Sequence, residues 1–114
     1  MQAIEPLTEE RIAANNARFR ESNERIRRAA ETYEIVNRVP FLCECADPTC
    51  MEIVRLDLAD YRAVRANARW FVEAPSHGPD PGPAARIVET ADSHLVVEKV
   101  GRAGEVAEAL AGEP

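Results

Sequence analysis

Residues 41–56 have the sequence FLCECADPTCMEIVRL. All three cysteines of the chain, Cys43, Cys45 and Cys50, lie within this stretch. The apolar residues on either side predict two short strands, and the pair Asp47-Pro48 is typical of a turn between them. Side chains two residues apart in a strand point to the same face, so we expect Cys43 and Cys45 to direct their sulfurs to one side.

This cysteine cluster predicts a bound zinc ion. Zinc prefers thiolate and imidazole ligands, and structural zinc sites are nearly always four-coordinate, so three cysteines need one further ligand. We predict that this ligand is His77, which follows a short predicted strand at 70–72 and lies in a proline-rich loop. His94 is the competing histidine, and we expect it to be exposed in a hairpin turn. Asp47, a water molecule or a second chain can also supply a fourth ligand.

Two interpretations of the cysteines without a metal stay open. The thiols can be free and buried, in which case they behave as small hydrophobic groups. Alternatively, Cys43 and Cys50 can form a disulfide that leaves Cys45 unpaired. The disulfide is disfavoured because we expect a cytoplasmic protein, and thiols stay reduced in the cytosol. The first residues, MQAIEPLTEERIAANN, lack the features of a secretory signal, and no run approaches the ~20 apolar residues that span a bilayer.

Composition limits the size of the core and the class of partner. A chain of 114 residues has the size of one domain. Apolar residues make up 46% of it, but only six are aromatic, and a core with so few rings would gain from a metal cross-link. The net charge is −6, and the whole deficit lies beyond residue 38. An acidic body repels phosphate, so we do not expect nucleic acid as the main partner. The lack of a spanning apolar run argues against a membrane.

The N-terminal region predicts a helix over residues 8–34, with Thr8 as its N-cap. Large apolar residues recur at a seven-residue step, which gives a narrow seam. This predicted interaction face consists of Ile12, Phe19, Ile26 and Tyr33. The positions between these residues are weaker, and they hold Asn15 or Asn16, Ser22 or Asn23, and Ala29 or Ala30. The seam either packs on the body of its own chain or pairs with another helix, in which a buried asparagine would set the register.

The remaining pattern predicts an α+β fold with a long N-terminal helix, a small antiparallel sheet of four or five strands with a zinc knuckle, and one further helix. That helix is expected at about 58–67, and a hairpin at 86–90 and 95–100. After two glycines we expect only one helical turn, at 105–110. We therefore divide the chain into an N-terminal interaction or oligomerisation arm (1–38), a zinc-stabilised α+β body (39–110) and a frayed tail (111–114).

The knuckle and the segments after it resemble a small family of actinobacterial proteins over roughly residues 15–109. The resemblance rests on FLCECADPTC (41–50), LDLADYRAVR (56–65), FVEAPSH (71–77) and VVEKVG (96–101). The family pattern has a leading helix, a C-E-C-G-D-P-x-C knuckle, an L-T-x-x-E-Y helix and a P-G-H element. The resemblance implies that the cysteines and His77 belong to one site. This chain departs from the pattern at Ala46 and Ser76, where the family favours glycine, and neither change removes an expected ligand.

The sequence lacks a complete set of catalytic residues, so we predict that the protein is not an enzyme. Glu44, between Cys43 and Cys45, is the only carboxylate well placed to act as a base, and we expect it to point away from the metal into solvent. The interpretation we favour is a zinc-binding protein-interaction or regulatory module that binds a protein partner or a second copy through its N-terminal helix. The competing hypotheses are a switch that responds to oxidation or to zinc and, third, a zinc-dependent enzyme.

Overall fold

The computed structural model describes residues 8–45, 47, 49–77, 81–82 and 84–111. The elements follow the chain in the order α1 (Glu9–Thr32), β1 (Val39–Leu42), β2 (Ile53–Leu56), α2 (Leu58–Arg65), β3 (Trp70–Glu73), a 3-10 turn (Pro75–His77), β4 (Ala85–Thr90), β5 (Leu95–Lys99) and α3 (Gly101–Ala111). This arrangement confirms the predicted α+β class. Residues 1–7 and 112–114 lie outside the described residues, so most of the predicted tail (111–114) stays a prediction, whereas Ala111 itself is the last residue of α3.

Helix α1 begins and ends close to its predicted bounds. The side chain of Thr8 accepts a hydrogen bond from the backbone N–H of Arg11 at 3.1 Å, as an N-cap does. At the other end Glu34 adopts a left-handed conformation (φ 57°), and the N–H of Ile35 donates to the carbonyl of Ala30 at 2.9 Å. A left-handed residue directly after the last turn is a common way to end a helix.

The strands form two antiparallel sheets rather than the single sheet that the sequence predicts. β1 pairs with β2, and β5 lies between β3 and β4. The free edge of β1 cannot pair fully with β3, because the side-chain amide of Asn23 binds the N–H of Leu42 at 2.8 Å and its carbonyl at 2.9 Å. Beyond this point one backbone hydrogen bond, from the N–H of Glu44 to the carbonyl of Val72 at 2.7 Å, connects the two sheets.

Helix α3 is longer than the single turn that the sequence predicts. Gly101 does end β5, with a positive φ of 59°, but it is also the first residue of the helix. Gly104 lies inside the helix, where a Cβ atom would come within 2.7 Å of the carbonyl oxygen of Lys99. The prediction failed here because Gly104 provides close packing between α3 and the end of β5, whereas a glycine pair in sequence suggests a break.

The buried face of α1 is offset from the predicted apolar seam. The side chains that α1 buries are Ala13, Asn16, Arg20, Asn23 and Ala30. Ile12, Phe19 and Ile26 flank this face and are half-buried, and Ile26 packs against the larger core. Tyr33 is 75% exposed. The two asparagines are thus buried against their own chain, which favours packing of the seam on the body of the same molecule.

Two groups of apolar side chains form the core. The larger one lies between β1, β2, α2 and β3, and in it the rings of Phe41 and Tyr61 stack with their centroids 4.1 Å apart. The smaller one contains Phe71, Val97 and Ala107, and it holds α3 against the three-stranded sheet. The cysteines belong to the edge of the larger group, so the cluster is anchored to the main core.

Candidate metal centre

Cys43 and Cys45 lie directly after β1, on a segment that stays extended because it is bonded on both sides. The N–H of Cys43 donates to the carbonyl of Glu52 at 3.1 Å, which continues the pairing of β1 with β2. The N–H of the intervening Glu44 donates in the other direction, to β3. Both cysteine side chains are buried.

A tight turn brings Cys50 back toward the first two cysteines. One carboxylate oxygen of Asp47 accepts hydrogen bonds from the backbone N–H and the hydroxyl of Thr49, at 2.8 and 2.7 Å. The carbonyl of Asp47 accepts from the N–H of Cys50 at 3.1 Å. Asp47 therefore stabilises the turn through its own side chain, as sequence reasoning expected of this position, whereas Pro48 lies outside the described residues.

His77 reaches the cluster from the 3-10 turn that follows β3. Its Nε2 atom lies 3.2 Å from the sulfur of Cys43 and 3.7 Å from that of Cys50. The turn is joined to the knuckle by two further contacts: the N–H of Ala74 donates to the sulfur of Cys43 at 3.3 Å, and the hydroxyl of Ser76 to Glu52 at 3.0 Å. An exposed histidine is thus held beside one buried and one half-buried thiol.

The four side chains that the sequence assigns to one site do converge. One ligand atom from each of Cys43, Cys45, Cys50 and His77 lies within 4.8 Å of the other three. Ligand atoms placed tetrahedrally at 2.0–2.3 Å around zinc would be about 3.5–3.8 Å apart, so small movements would bring this group into coordination. Three sulfurs and one imidazole nitrogen suit a structural zinc ion, and the set is compatible with such a site.

The thiols differ in their readiness to ionise. A hydrogen bond from the thiol of Cys43 lowers the pKa of Cys45 to about 5. The same interaction and burial raise the pKa of Cys43, and burial raises that of Cys50. The thiolate is the form that binds metals, so Cys45 offers one at neutral pH, whereas the other two cysteines must first lose a proton.

His94, the competing histidine, is not part of this cluster. It lies just before β5, and its Nδ1 atom is 2.8 Å from the hydroxyl of Ser93. The expectation that it would be exposed was wrong: only 6% of its surface is accessible, and this burial lowers its pKa.

The prediction that Glu44 would point into solvent was also wrong. Glu44 is fully buried. Its carboxylate accepts hydrogen bonds from the hydroxyl of Tyr61 at 2.8 Å, the amide of Asn23 at 2.9 Å and the backbone N–H of Val72 at 2.9 Å, and it lies 3.5 Å from the guanidinium of Arg65. Glu44 does point to the opposite side of the segment from the thiols, as the alternation of side chains predicts. That side faces the protein core rather than solvent.

The hydrogen bonds that join the cysteine segment to α1 were not predicted. The amide of Asn16 donates to the carbonyl of Glu44 at 2.6 Å, and Asn23 binds both backbone groups of Leu42. The seven-residue spacing of the two asparagines is visible in the sequence, but it does not identify the backbone groups that they bind. Its effect is to tie the metal-side segment to the long helix.

None of the three comparisons, with family models, with curated proteins and with solved structures, finds a match to this chain. The resemblance to an actinobacterial family therefore stays a prediction. Among the described residues, none of the helices is both long enough and apolar enough to span a bilayer.

Proposed function

We propose that this chain is a cytoplasmic protein-interaction or regulatory module that binds one structural zinc ion through Cys43, Cys45, Cys50 and His77. The observation that carries the proposal is the convergence of the four ligand atoms within 4.8 Å. Zinc bound there would join the knuckle after β1 to the turn after β3. In a small domain this cross-link would contribute directly to folding.

A structural rather than catalytic role has support from the ligand count and from Glu44. Four protein ligands would fill a tetrahedral shell, whereas catalytic zinc sites keep a position for water. Glu44, the carboxylate nearest in sequence to the ligands, is bonded to Tyr61, Asn23 and Val72, so it would not serve as a base at the metal. We therefore propose that the protein is not an enzyme.

The metal part of the proposal is tested by replacing each of the two histidines with glutamine in a separate variant. We expect the protein purified without chelator to contain about one zinc per chain. His77→Gln should lower the zinc affinity by more than about 100-fold, which exceeds the usual effect of changes outside the ligand shell. His94→Gln is the matched control and should bind zinc like the unchanged protein. A zinc content near zero, or equal affinities of the two variants, would refute the proposal.

The interaction part has support from the corner between α1 and β1. Tyr33 is 75%, Ile35 50% and Val36 55% exposed, so three sizeable apolar side chains in four residues face solvent. We propose that this corner, defined by these three residues, contacts a protein partner or a second copy. Tyr33 belongs to the predicted interaction face, whereas the other two lie just beyond it.

A photo-crosslinking residue tests this corner directly. Placed at Val36 in cells that express the chain, it should give a discrete adduct, and the adduct should weaken when Tyr33→Ser is added. The same residue at exposed Arg86 on β4 is the control and should give none. Sedimentation of the purified zinc-loaded protein then separates self-association from a different partner. Identical adducts from both positions would contradict the assignment.

A redox-responsive switch is the second candidate, and the low pKa of Cys45 favours it. Two thiolates would give two electrons to hydrogen peroxide and form a disulfide, while the peroxide takes up two protons and leaves as water. Loss of the ligands would release zinc, and the bonds from Asn16 and Asn23 would transmit the change to α1. Zinc that stays bound under mild peroxide treatment would reject this function.

A further inference from the structure

A cleft of about 530 Å³ lies between α1, the connection from α2 to β3, and the end of α3. Its lining shares no residue with the metal centre. Ala14 and Ala17 of α1 and Leu110 of α3 give it an apolar wall, and Leu110 is 54% exposed. The volume is within the range of about 300–1,000 Å³ typical of pockets for small ligands.

Two arginines, the buried Arg20 and the partly buried Arg65, also line the cleft. The guanidinium of Arg20 donates to the carbonyls of Ala68 and Ala107 at 2.8 and 3.2 Å, so it is held in one position. Arg65 contacts Glu44 and the carbonyl of Trp70. Its Nε atom is buried without a hydrogen-bond partner. Because that atom has almost no accessible surface, a ligand in the cleft would contact other parts of the Arg65 side chain, 11% of which is exposed.

The two guanidinium groups are close enough to affect each other. Burial lowers the pKa of Arg20, and the positive charge of Arg65 lowers it further. Both groups also lie beside the ring of Phe71, at 4.9 and 5.3 Å from its centroid. Neighbouring cations repel each other, and Glu44 offsets part of this repulsion from the core side, so an anion in the cleft would be favoured by the positive charge that remains.

The other charges in the lining indicate how much negative charge the cleft accepts. Arg18 adds a third positive charge, whereas Glu21 and Glu24 add two negative ones. The lining has one net positive charge, and Glu44, which lies behind it 3.5 Å from Arg65, offsets part of that charge, so the cleft suits a monoanion better than a phosphate dianion. A guanidinium presents paired N–H donors whose spacing fits the two oxygens of a carboxylate.

We propose that this cleft binds a small organic monocarboxylate. The carboxylate pairs with the guanidinium groups of Arg65 and Arg20, and the hydrocarbon part packs against Ala17 and Leu110. The binding site is separate from the zinc ligands, so its presence or absence does not affect the proposal for the metal.

NMR titration of the full, zinc-loaded chain with sodium hexanoate tests the site. We expect saturable shifts of the backbone amides of Ala17, Ala68 and Leu110. Hexanamide has a similar shape but no charge, and we expect it to bind at least about tenfold more weakly, because hydrogen bonds to charged groups are the stronger ones. Equal binding of hexanamide, equal binding of inorganic phosphate, or no saturable shift would overturn the proposal.

A surface variant tests the location of the hexanoate site without changing Arg20 or Arg65. Ala14→Glu adds a negative charge at an exposed position in the lining and should weaken hexanoate binding at least about tenfold. Ala29→Glu makes the same change at an exposed position of α1 outside the lining and should bind hexanoate like the unchanged chain. Equal affinities of the two variants would exclude this cleft as the binding site.

Discussion

The two sides of the segment from Cys43 to Cys45 are stabilised by different chemistry. On one side the carboxylate of Glu44 has four protein partners and no exposed surface. On the other side the thiols of Cys43 and Cys45 face an exposed histidine and a half-buried third thiol. On the inner side the carboxylate is therefore satisfied by protein groups alone, whereas the outer side has the donor set of a metal site.

This difference explains why a metal would be useful at the knuckle. The residues around the outer side contribute little apolar burial: Met51 is 86% and Ile53 47% exposed. The inner side, by contrast, adjoins the stacked rings of Phe41 and Tyr61. A zinc ion would supply at the outer side the cross-linking that packing supplies at the inner side.

The largest effect is expected from breaking the inner side. Glu44→Gln removes a fully buried charge that faces the partly buried Arg65, and loss of one partner of a buried ion pair typically costs about 3–5 kcal/mol. We expect a decrease of this size in the free energy of unfolding of the zinc-loaded protein, measured by urea denaturation. Exposed Glu89→Gln is the control and should change it by less than about 0.5 kcal/mol. A cost below about 1 kcal/mol for Glu44→Gln would contradict the importance of the network.

The outer side should respond to pH. The pKa values of Cys43 and Cys50 are raised above that of an ordinary thiol, so both are protonated at neutral pH and must release protons to bind zinc. Protons compete with the metal for the thiolates, so the zinc affinity decreases at lower pH and increases at higher pH. Cys45, with a pKa of about 5, is already ionised at neutral pH and adds nothing to the slope there.

Two released protons correspond to a change in affinity of about 100-fold, or about 2.7 kcal/mol, per pH unit between about pH 7 and 8. Competition with a chelator of known affinity measures this slope. An affinity that is constant over this range would show that the thiols are already ionised, contrary to the predicted difference between the cysteines.

The substitution with the smallest expected effect, Asn23→Ala, tests whether the inner and outer sides are coupled. Asn23→Ala removes the amide that binds Leu42 and Glu44, which should cost about 1–2 kcal/mol of stability. Because Leu42 precedes the first ligand cysteine, we also expect about tenfold weaker zinc binding. Asn37→Ala, at an exposed position, is the control for both measurements. Unchanged zinc affinity in Asn23→Ala would show that the two sides act independently.

Much of the local structure could be predicted because its causes are local. Thr8 caps α1, and the turn from Asp47 to Cys50 depends on hydrogen bonds between neighbouring residues. The strands on either side of the cysteines follow from their apolar residues. The errors have a different origin: Gly104 lies inside a helix, and Glu44 lies in the core, because each contacts residues far away in the sequence.

The sequence by itself determined the three cysteine ligands and limited the histidine ligand to two candidates, because cysteine and histidine are the side chains that zinc prefers and the chain contains few of them. It also determined the α+β class through its apolar patterns. Only the tertiary structure decided between His77 and His94, since both lie far from the cysteines in sequence and the packing of the turn after β3 brings one of them to the sulfurs. It likewise decided that Asn16, Asn23 and Arg20 face the protein interior, because a polar side chain can be buried only where the fold supplies its hydrogen-bond partners.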